Sequence, residues 1–187
     1  GTLGTQFSNF LSNLGANMIL IDLDITKNRK LENKLRKKFG TKPKALEADV
    51  SNKKQLEKIS KEVFSRYQNI DGLINAAGFT SKFAKKTKTS SYNNKFEKLS
   101  EETWNDTMGV NLTGTFLCSQ IFGKEMAKKK KGSIINIASH YALIGADQRI
   151  YGNSGLNLPA SYAASKGGII NFTRYLAAYW RERGVRV

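Results

Sequence analysis

The chain has 187 residues, of which 31 are Lys or Arg and 15 are Asp or Glu, so its formal net charge is +16. A domain of this length buries roughly 70% of the surface that its unfolded chain exposes, which is enough for a sizeable core. One cysteine and one histidine exclude a disulfide framework and a Cys or His metal cluster, and we expect no metal. No apolar run reaches the ~20 residues of a membrane-spanning helix and no leader segment is visible, so we expect a cytoplasmic protein without membrane contact.

The positive charge admits two interpretations, a solvated surface and an anion-binding one. The lysines are spread over many segments, and the one dense run, Lys128–Lys131, lies between a helix-like and a strand-like stretch where a turn is expected. Aromatic residues are not interleaved with basic ones as they are in a groove for single-stranded nucleic acid. We therefore predict a solvated surface and no nucleic-acid partner. A basic nucleic-acid-binding module on the same scaffold is the alternative from another class, and salt-dependent RNA binding without cofactor binding would identify it.

In chain order, short apolar runs alternate with longer amphipathic ones, which is typical of βα units on a parallel sheet. The predicted strands are Met18–Ile21 (ending in Asp22), Ala45–Val50, Gly72–Asn75, Ile134–Ile137 and Val185–Val187. The predicted helices run through about Leu14, over Lys27–Phe39 and Lys53–Tyr67, from an N-cap at Ser100 to about Ala127, and from Pro159 to about Arg183. Residues 79–99 are expected to form a polar connection, and residues 140–158 a loop.

This alternation predicts a single domain over residues 1–187, with helices on both faces of a doubly wound parallel sheet in three α/β/α layers. The first residues look like the tail of a glycine-rich turn, and a nucleotide-binding turn needs a strand before it. We therefore expect a fragment that lacks the first strand and the C-terminal part of a longer chain.

Open parallel sheets bind ligands at the carboxyl ends of their strands, and several candidate residues fall there. Gly1 and Gly4, before a helix, suit the close approach of backbone to a pyrophosphate. Asp22 ends the next strand, where a carboxylate can accept hydrogen bonds from both ribose hydroxyls of an adenosine and repel a 2′-phosphate. A turn or helix-capping aspartate is the alternative interpretation of Asp22.

Tyr162 and Lys166 are four residues apart in a predicted helix, so their side chains lie on one face. A phenol with an ordinary pKa near 10 is a poor base at neutral pH, but a nearby ammonium stabilises the phenolate and makes proton transfer practicable. Ser139, at the end of the preceding strand, can hold a substrate oxygen beside Tyr162. Asn111 is an amide in an otherwise apolar helical run, where a polar group needs a specific partner.

The chain resembles the short-chain dehydrogenase/reductase family in its classical branch. The motifs that carry this resemblance, in chain order, are Asp49-Val50, Asn75-Ala76-Ala77-Gly78, Asn111, Ser139 and Tyr162-Ala163-Ala164-Ser165-Lys166. The spacing of Gly1 and Gly4 departs from this pattern, since it matches the extended branch with its sugar-nucleotide epimerases and dehydratases. We follow the asparagine motifs.

The resemblance implies a reversible hydride transfer between nicotinamide C4 and an alcohol or ketone carbon, with NAD expected and NADP less favoured. Tyr162 is implied as the acid/base, Lys166 as the residue that stabilises its phenolate and binds the nicotinamide ribose, Ser139 as the group that orients the substrate oxygen, and Asn111 as the holder of a relay water. The implied cofactor-binding residues are Gly1, Leu3, Gly4, Asp22, Asp49, Val50, Asn75, Ala76, Ala77, Gly78, Tyr162 and Lys166. The family also implies a homo-oligomer, a tetramer or a dimer, with the helices of Asn111 and Tyr162 at one interface.

The substrate is the least determined part of this prediction. Polar residues predominate in the 140–158 loop, which favours a sugar, sugar acid or polyol whose hydroxyls each need a partner once desolvated. The candidate substrate residues are His140, Tyr141, Arg149 and Tyr151, although the loop's polar groups could equally face water. A steroid or acyl-thioester ketone is the alternative substrate, and an idle dinucleotide sensor the alternative role. Cys118 is expected to be inert core.

Overall fold

A computed structural model of the chain describes residues 1–81, 95–154 and 156–187. Its helices are α1 (Thr2–Asn13), α2 (Ile25–Phe39), α3 (Lys53–Arg66), α4 (Glu101–Met108), α5 (Gly114–Lys128) and α6 (Ala160–Tyr179). Its strands are β1 (Ile19–Asp22), β2 (Lys44–Glu47), β3 (Gly72–Asn75), β4 (Gly132–Asn136) and β5 (Val185–Arg186). A π-helical turn, Gly109–Thr113, joins α4 to α5, and short 3-10 turns cover Phe96–Lys98, His140–Ala142, Gln148–Tyr151 and Arg181–Arg183.

The chain divides into two compact units, and the first is Gly1–Gln68. Within it β1 and β2 pair in parallel, in register from Ile19 with Lys44 to Asp22 with Glu47. The apolar residues of α3 recur one helical turn apart and are buried, at Leu56, Ile59 and Val63. The α2 helix begins at an Asp24 cap, whose carboxylate accepts from the Lys27 N–H, and ends at Gly40 in the left-handed conformation.

The second unit is Asn69–Val187, and it carries a parallel sheet in the order β3-β4-β5. The core between this sheet and the helices contains Met126, Ile134, Leu176, Trp180 and Val185. A Cβ at Gly123 would lie 2.5 Å from the Trp180 ring, so α5 has a glycine where the indole packs against it. The ladder of β3 and β4 ends with Asn75 opposite Asn136, which brings two amides to the carboxyl ends of adjacent strands.

The predicted fold class is confirmed, a Rossmann-type α/β fold with parallel strands. In the family the strand order is 3-2-1-4-5-6-7. The strands β1 to β5 can be compared with family strands 2 to 6. The pair β1-β2 then corresponds to the adjacent family strands 2 and 3, and the sheet β3-β4-β5 to the adjacent family strands 4, 5 and 6. The expectation of one domain over residues 1–187 stays a prediction.

Several predicted boundaries differ from the observed ones, among them the following four. The helix α1 begins at Thr2, so the predicted glycine-rich turn is already helical at Gly4. The strand expected over Ala45–Val50 ends at Glu47. Pro159 is the extended N-cap of α6 and not its first residue. The same helix ends at Tyr179 instead of Arg183, because the chain passes through a 3-10 turn to Gly184, whose positive φ and close approach to the Lys130 carbonyl admit no side chain.

The helix expected from Ser100 to about Ala127 has the predicted cap, since the Ser100 hydroxyl accepts from the Thr103 N–H. It is interrupted, however, by the π-turn, which lies around Asn111. Most of the polar connection predicted over residues 79–99 lies outside the described residues.

Two general features bear on the remaining expectations. No helix among the described residues is long and apolar enough to span a membrane, and the cytoplasmic location stays a prediction. Within the same residues no group of three His, Cys, Asp or Glu side chains could hold a metal ion. In the lysine run, Lys128 pairs with Glu125 at 2.7 Å and Lys131 with Asp71 at 3.2 Å, and the run is exposed.

Candidate active site

The residues predicted to bind the adenosine half of a dinucleotide lie in the first unit, around the amino end of α1. Gly1 caps this helix without a side-chain hydrogen bond, and its first turn holds no acidic residue. A Cβ at Gly1 or Gly4 would meet no atom within 4 Å, so there is room above both glycines. The amino end of a helix whose first turn holds no acidic residue fits an anionic pyrophosphate, and the contact of Gly1 and Gly4 with one stays a prediction.

Asp22 lies at the end of β1, beside this helix terminus. One carboxylate oxygen, Oδ2, is 3.4 Å from the Gly1 nitrogen, and the other, Oδ1, accepts from the Asp24 N–H at 3.0 Å. The side chain is 41% exposed. The turn role that was the alternative for Asp22 is therefore present at Oδ1, while Oδ2 faces the Gly1 nitrogen, and the contact of Asp22 with a ribose stays a prediction.

The other predicted adenosine residues follow β2. The Asp49 carboxylate accepts from both the backbone N–H and the hydroxyl of Ser51, at 2.8 and 2.6 Å, and its own N–H donates to Gln55. Val50 is half-buried next to it. Asp49 thus shapes the turn into α3, and its contact with an adenine ring stays a prediction, as does the contact of exposed Leu3 with the cofactor.

The predicted catalytic residues all lie in the second unit. Lys166 is buried in α6, with 5% of its surface exposed, and its Nζ donates to the Ile137 carbonyl at 2.6 Å. The same Nζ is 5.8 Å from the centroid of the Tyr162 ring. Burial lowers the pKa of Lys166 from its ordinary value, because the ammonium loses hydration. The ammonium is therefore held near the phenol and tied to the segment that leads from β4 to Ser139.

Ser139 lies three residues beyond the end of β4 and begins the 3-10 turn His140–Ala142. Its hydroxyl accepts from the Tyr141 N–H at 3.3 Å. The turn packs against α6, where a Cβ at Gly167 would be 3.7 Å from the Ala142 carbonyl oxygen. The fold thus brings Ser139 to the helix of Tyr162, as the order of motifs predicted.

Asn111 has no exposed surface and holds three segments together. Its Oδ1 accepts from the Phe79 N–H at 2.7 Å, and its Nδ2 donates to the Phe79 carbonyl and to the Ser165 hydroxyl, each at 3.0 Å. Ser165 in turn donates to the Tyr162 carbonyl at 2.8 Å. Both amide protons of Asn111 have protein partners, so the amide positions α6, and its predicted role in holding a water stays a prediction.

A second polar network lies beneath the site and was not predicted as a unit. Asn75 Nδ2 donates to Ser119 at 3.1 Å and to Asn136 at 2.8 Å, and Asn136 donates to Thr173 at 2.9 Å. It connects β3, β4, α5 and α6, so Asn75 joins the carboxyl ends of two strands to the helices, and its predicted contact with the cofactor stays a prediction. The sequence signal for this network was a polar residue at the end of each of two adjacent strands, β3 and β4. Ser119 and Thr173 are distant in sequence from these strands, and no local pattern indicated that they belong to the network.

The remaining motif residues, Ala76, Ala77 and Gly78, follow β3. Ala77 and Gly78 are exposed, and a Cβ at Gly78 would be 3.7 Å from Asn111 Oδ1. This stretch is open to a ligand on one side and adjoins Asn111 on the other. Its predicted contact with the cofactor remains a prediction.

The predicted substrate residues are distributed unequally in the 140–158 loop. The rings of His140 and Tyr141 are in contact, with centroids 3.8 Å apart. The neighbouring Tyr151 side chain raises the pKa of Tyr141 from its ordinary value. Arg149 instead points its guanidinium to Asp147, at 2.8 Å, and this ion pair is exposed. Arg149 is thus occupied by its neighbour, and contact of His140, Tyr141 and Tyr151 with a substrate stays a prediction.

Cys118 is buried in α5, as predicted, and desolvation raises the pKa of its thiol to about 12. A thiol with such a pKa remains protonated at neutral pH and is a poor nucleophile. Cys118 therefore belongs to the core and not to the site.

Comparison with known proteins identifies the family. The model of the family described as short chain dehydrogenase matches residues 1–187, and the chain belongs to this family, as its motifs predicted. It is 30% identical over 185 residues to the NAD-dependent glycerol dehydrogenase of Listeria innocua, which covers 99% of this chain and 63% of that protein. It is 33% identical over 143 residues to a 3-oxoacyl-acyl-carrier-protein reductase of Synechocystis, covering 76% of this chain and 49% of the relative.

Solved structures give the same fold. The crystal structure of gox2181 matches with a TM-score of 0.82 and 28% sequence identity, covering 99% of this chain and 64% of that one. The chain thus spans slightly less than two thirds of the length of the glycerol dehydrogenase and of this structure.

Proposed function

We propose that the full-length protein is an NAD-dependent oxidoreductase that interconverts a secondary alcohol and a ketone. The observation that carries the proposal is the buried Lys166 ammonium, fixed by the Ile137 carbonyl and held 5.8 Å from the Tyr162 ring. This buried ammonium lies next to a phenol, and its positive charge would stabilise the phenolate that forms when the phenol loses its proton during turnover.

The residues of this chain would supply position and a proton. When bound, the nicotinamide supplies the hydride at its C4 atom. Tyr162 gives its phenolic proton to the substrate oxygen during ketone reduction and takes it back during alcohol oxidation. Lys166 stabilises the phenolate that remains, and Ser139 donates a hydrogen bond to the same substrate oxygen as negative charge develops on it. Asn111 and Ser165 hold the backbone of α6 in place at Tyr162.

The preference for NAD rests on Asp22. Its Oδ2 lies beside the amino end of α1, and a carboxylate there accepts hydrogen bonds from ribose hydroxyls but repels a 2′-phosphate. The glycerol dehydrogenase of Listeria innocua, which is NAD-dependent by name, supports the same choice.

A sugar, sugar acid or polyol is the proposed substrate class. The polar composition of the 140–158 loop and the similarity to a glycerol dehydrogenase support a small polyhydroxylated ligand. The similarity to a 3-oxoacyl-acyl-carrier-protein reductase keeps an acyl-thioester ketone as the second candidate.

A substrate panel tests this proposal. The full-length protein is assayed with NAD(H) and NADP(H) against polyols, sugar acids, a steroid and an acyl-thioester ketone. We expect the highest kcat/KM for a polyol or sugar acid with NAD(H). A higher kcat/KM for the steroid or the thioester would contradict the substrate class, and no nicotinamide turnover with any of them would contradict the proposed activity.

We also propose that the protein is a homo-oligomer that associates through α5 and α6. Large aromatic side chains are exposed on these helices, with 41% of Phe116, 60% of Tyr175 and 65% of Tyr179 accessible. Exposed apolar clusters of this kind mark association surfaces. Sedimentation of the full-length protein should show a dimer or tetramer, and replacing Tyr179 with Lys should shift it towards monomer. A monomeric wild type would contradict this part of the proposal.

A further inference from the structure

Asn28 is a polar residue on the face of α2 that packs against the two strands of the first unit. It is 7% exposed, and Leu35, about two helical turns further on, is buried on the same helix. Asparagine is less favourable than leucine in the interior of a helix, and a buried amide needs hydrogen-bond partners. An amide at this position therefore calls for a reason beyond packing.

The Asn28 side chain donates to both strands of the β1-β2 pair. Its Nδ2 lies 2.8 Å from the Leu20 carbonyl oxygen and 3.4 Å from that of Leu46. Leu46 is opposite Ile21 in the register of the strands, and Leu20 immediately precedes Ile21. Asn28 thus holds the backbone of both strands in the two register positions before Asp22.

A chain of hydrogen bonds also leads from the Asp22 carboxylate back to Asn28. Asp22 Oδ1 accepts from the Asp24 N–H at 3.0 Å, and the Asp24 carbonyl accepts from the Asn28 N–H at 3.0 Å. Together with the side-chain bond from Asn28 to Leu20, these contacts close a ring that contains the end of β1, the turn after it and the first turn of α2. Loss of the Asn28 amide would open this ring between the helix and the strand.

We propose that Asn28 is a positioning residue for the choice between NAD and NADP, which acts by fixing the Asp22 carboxylate at the end of β1. This inference rests on the proposed function, in which that carboxylate accepts hydrogen bonds from ribose hydroxyls and repels a 2′-phosphate. Both effects depend on where the carboxylate lies, because hydrogen bonds and charge repulsion weaken with distance. An Asp22 carboxylate that is less firmly held binds NADH less tightly and excludes NADPH less strongly.

The test measures the dissociation constants of NADH and NADPH by fluorescence titration of the full-length protein. Asn28→Leu keeps the approximate size of the side chain and removes its donor, so the ratio of the Kd of NADPH to the Kd of NADH should fall about fivefold. The kcat at saturating NADH should be unchanged, because Tyr162 and Lys166 are not altered. If Asn28→Leu shows no cooperative thermal transition, Asn28→Ala, which adds no volume, is measured in its place.

Two further variants separate an effect through Asp22 from a general one. Asn33 is an exposed asparagine of the same helix, and Asn33→Leu is the matched control that should leave the Kd ratio unchanged. Asp22→Ser removes the carboxylate itself. In the Asp22→Ser background, Asn28→Leu should therefore lower the ratio no further, since residues that act through one another are not additive.

An unchanged ratio in Asn28→Leu, or an equal fall with and without the Asp22 carboxylate, would overturn the positioning role of Asn28. The proposed cofactor preference would still stand if Asp22→Ser alone lowers the ratio in the same measurements. If the wild type binds NADPH as tightly as NADH, or if Asp22→Ser leaves the ratio unchanged, the proposed cofactor preference fails, and this inference fails with it.

Discussion

Two parts of the second unit differ in how they hold their polar groups. At the buried end of the site, Asn111, Ser165 and Lys166 are exposed by 0%, 0% and 5%, and each is hydrogen-bonded to protein groups on another segment or turn. The 140–158 loop is mostly exposed, and its hydrogen bonds, such as those of Asp147 with Arg149 and Gln148 with Leu158, remain within the loop or reach its end. In the proposed mechanism the buried part would fix the geometry of proton transfer, and the exposed loop would contact the substrate.

In the proposed mechanism, the buried residues serve the catalytic step and the loop serves the selection of substrates. Changes in the buried part should affect every substrate and the stability of the fold, whereas changes in the loop should affect some substrates more than others. The first unit follows the same division, because the partly exposed Asp22 is the residue that would discriminate between cofactors.

The largest effect is expected at Tyr162. Because Tyr162→Phe removes the proposed proton donor and keeps the ring, turnover of every substrate should fall by a factor on the order of 10²–10⁴. NADH binding, measured by fluorescence titration, should be nearly unchanged. Retention of more than a tenth of the wild-type kcat would remove Tyr162 from the mechanism.

A large loss of stability is expected at Asn111. Asn111→Ala removes the three hydrogen bonds of a fully buried amide, two of them to the backbone of Phe79 and one to Ser165, so the free energy of unfolding should drop by about 2–4 kcal/mol. Asn105 is exposed on the neighbouring α4, and Asn105→Ala should cost less than about 0.5 kcal/mol. Equal effects of the two changes in denaturant unfolding would show that the buried amide is not a structural clamp.

A smaller effect is expected in cofactor choice. The wild type should prefer NAD to NADP by kcat/KM, and Asp22→Ser should reduce that preference about tenfold or more, because the charge that repels the 2′-phosphate is gone. Asp24 lies two residues further on and caps α2, so Asp24→Asn keeps the cap and is the control without an effect on cofactor choice. A wild type that prefers NADP would mean that Asp22 does not reach the ribose.

The smallest effect concerns the charge of Lys166. Burial lowers the pKa of Lys166 below its ordinary 10.5, so between its folded and unfolded pKa values the unfolded state binds more protons and stability rises with pH. Below that window the unfavourable effect of burying the ammonium is present in full, and above 10.5 it is absent.

Lys166→Met keeps the length of the side chain without the titrating group, and it isolates this dependence from that of the other lysines. The free energy of unfolding of the wild type, minus that of Lys166→Met, should increase as the pH rises towards about 10.5 in cofactor-free protein. A difference that is flat or decreases over this range would contradict the burial of the charge.

The same division explains what could be predicted from the sequence. Tyr162 and Lys166 were predictable because four residues make one helical turn, and Ser139 because it follows a strand that leads into the helix of Tyr162. The π-turn around Asn111 was not predictable, since one additional residue in a helical turn leaves the apolar pattern of a long helix almost unaltered.

Contacts across long sequence separations were the other gap. The bond from Asn111 to Ser165 joins residues 54 apart, and no local pattern indicates it, although Ser165 is within the motif that identified the family. In the loop, the polar composition pointed to hydroxylated ligands, but the bonds of Gln148 to Leu158 join residues ten apart, and no local pattern indicates them. Arg149 looked equally suitable as a substrate residue until the structure placed it on Asp147.

Isotope transfer tests the central claim, that this site moves a hydride between nicotinamide and a carbonyl carbon. The full-length enzyme is given its best ketone substrate and NADH that carries deuterium at C4, on one face or on the other in separate reactions. The account predicts that the deuterium of one of the two cofactors appears on the carbinol carbon of the product, at one label per turnover by mass spectrometry. A product without label from either cofactor, or label lost to water, would contradict it.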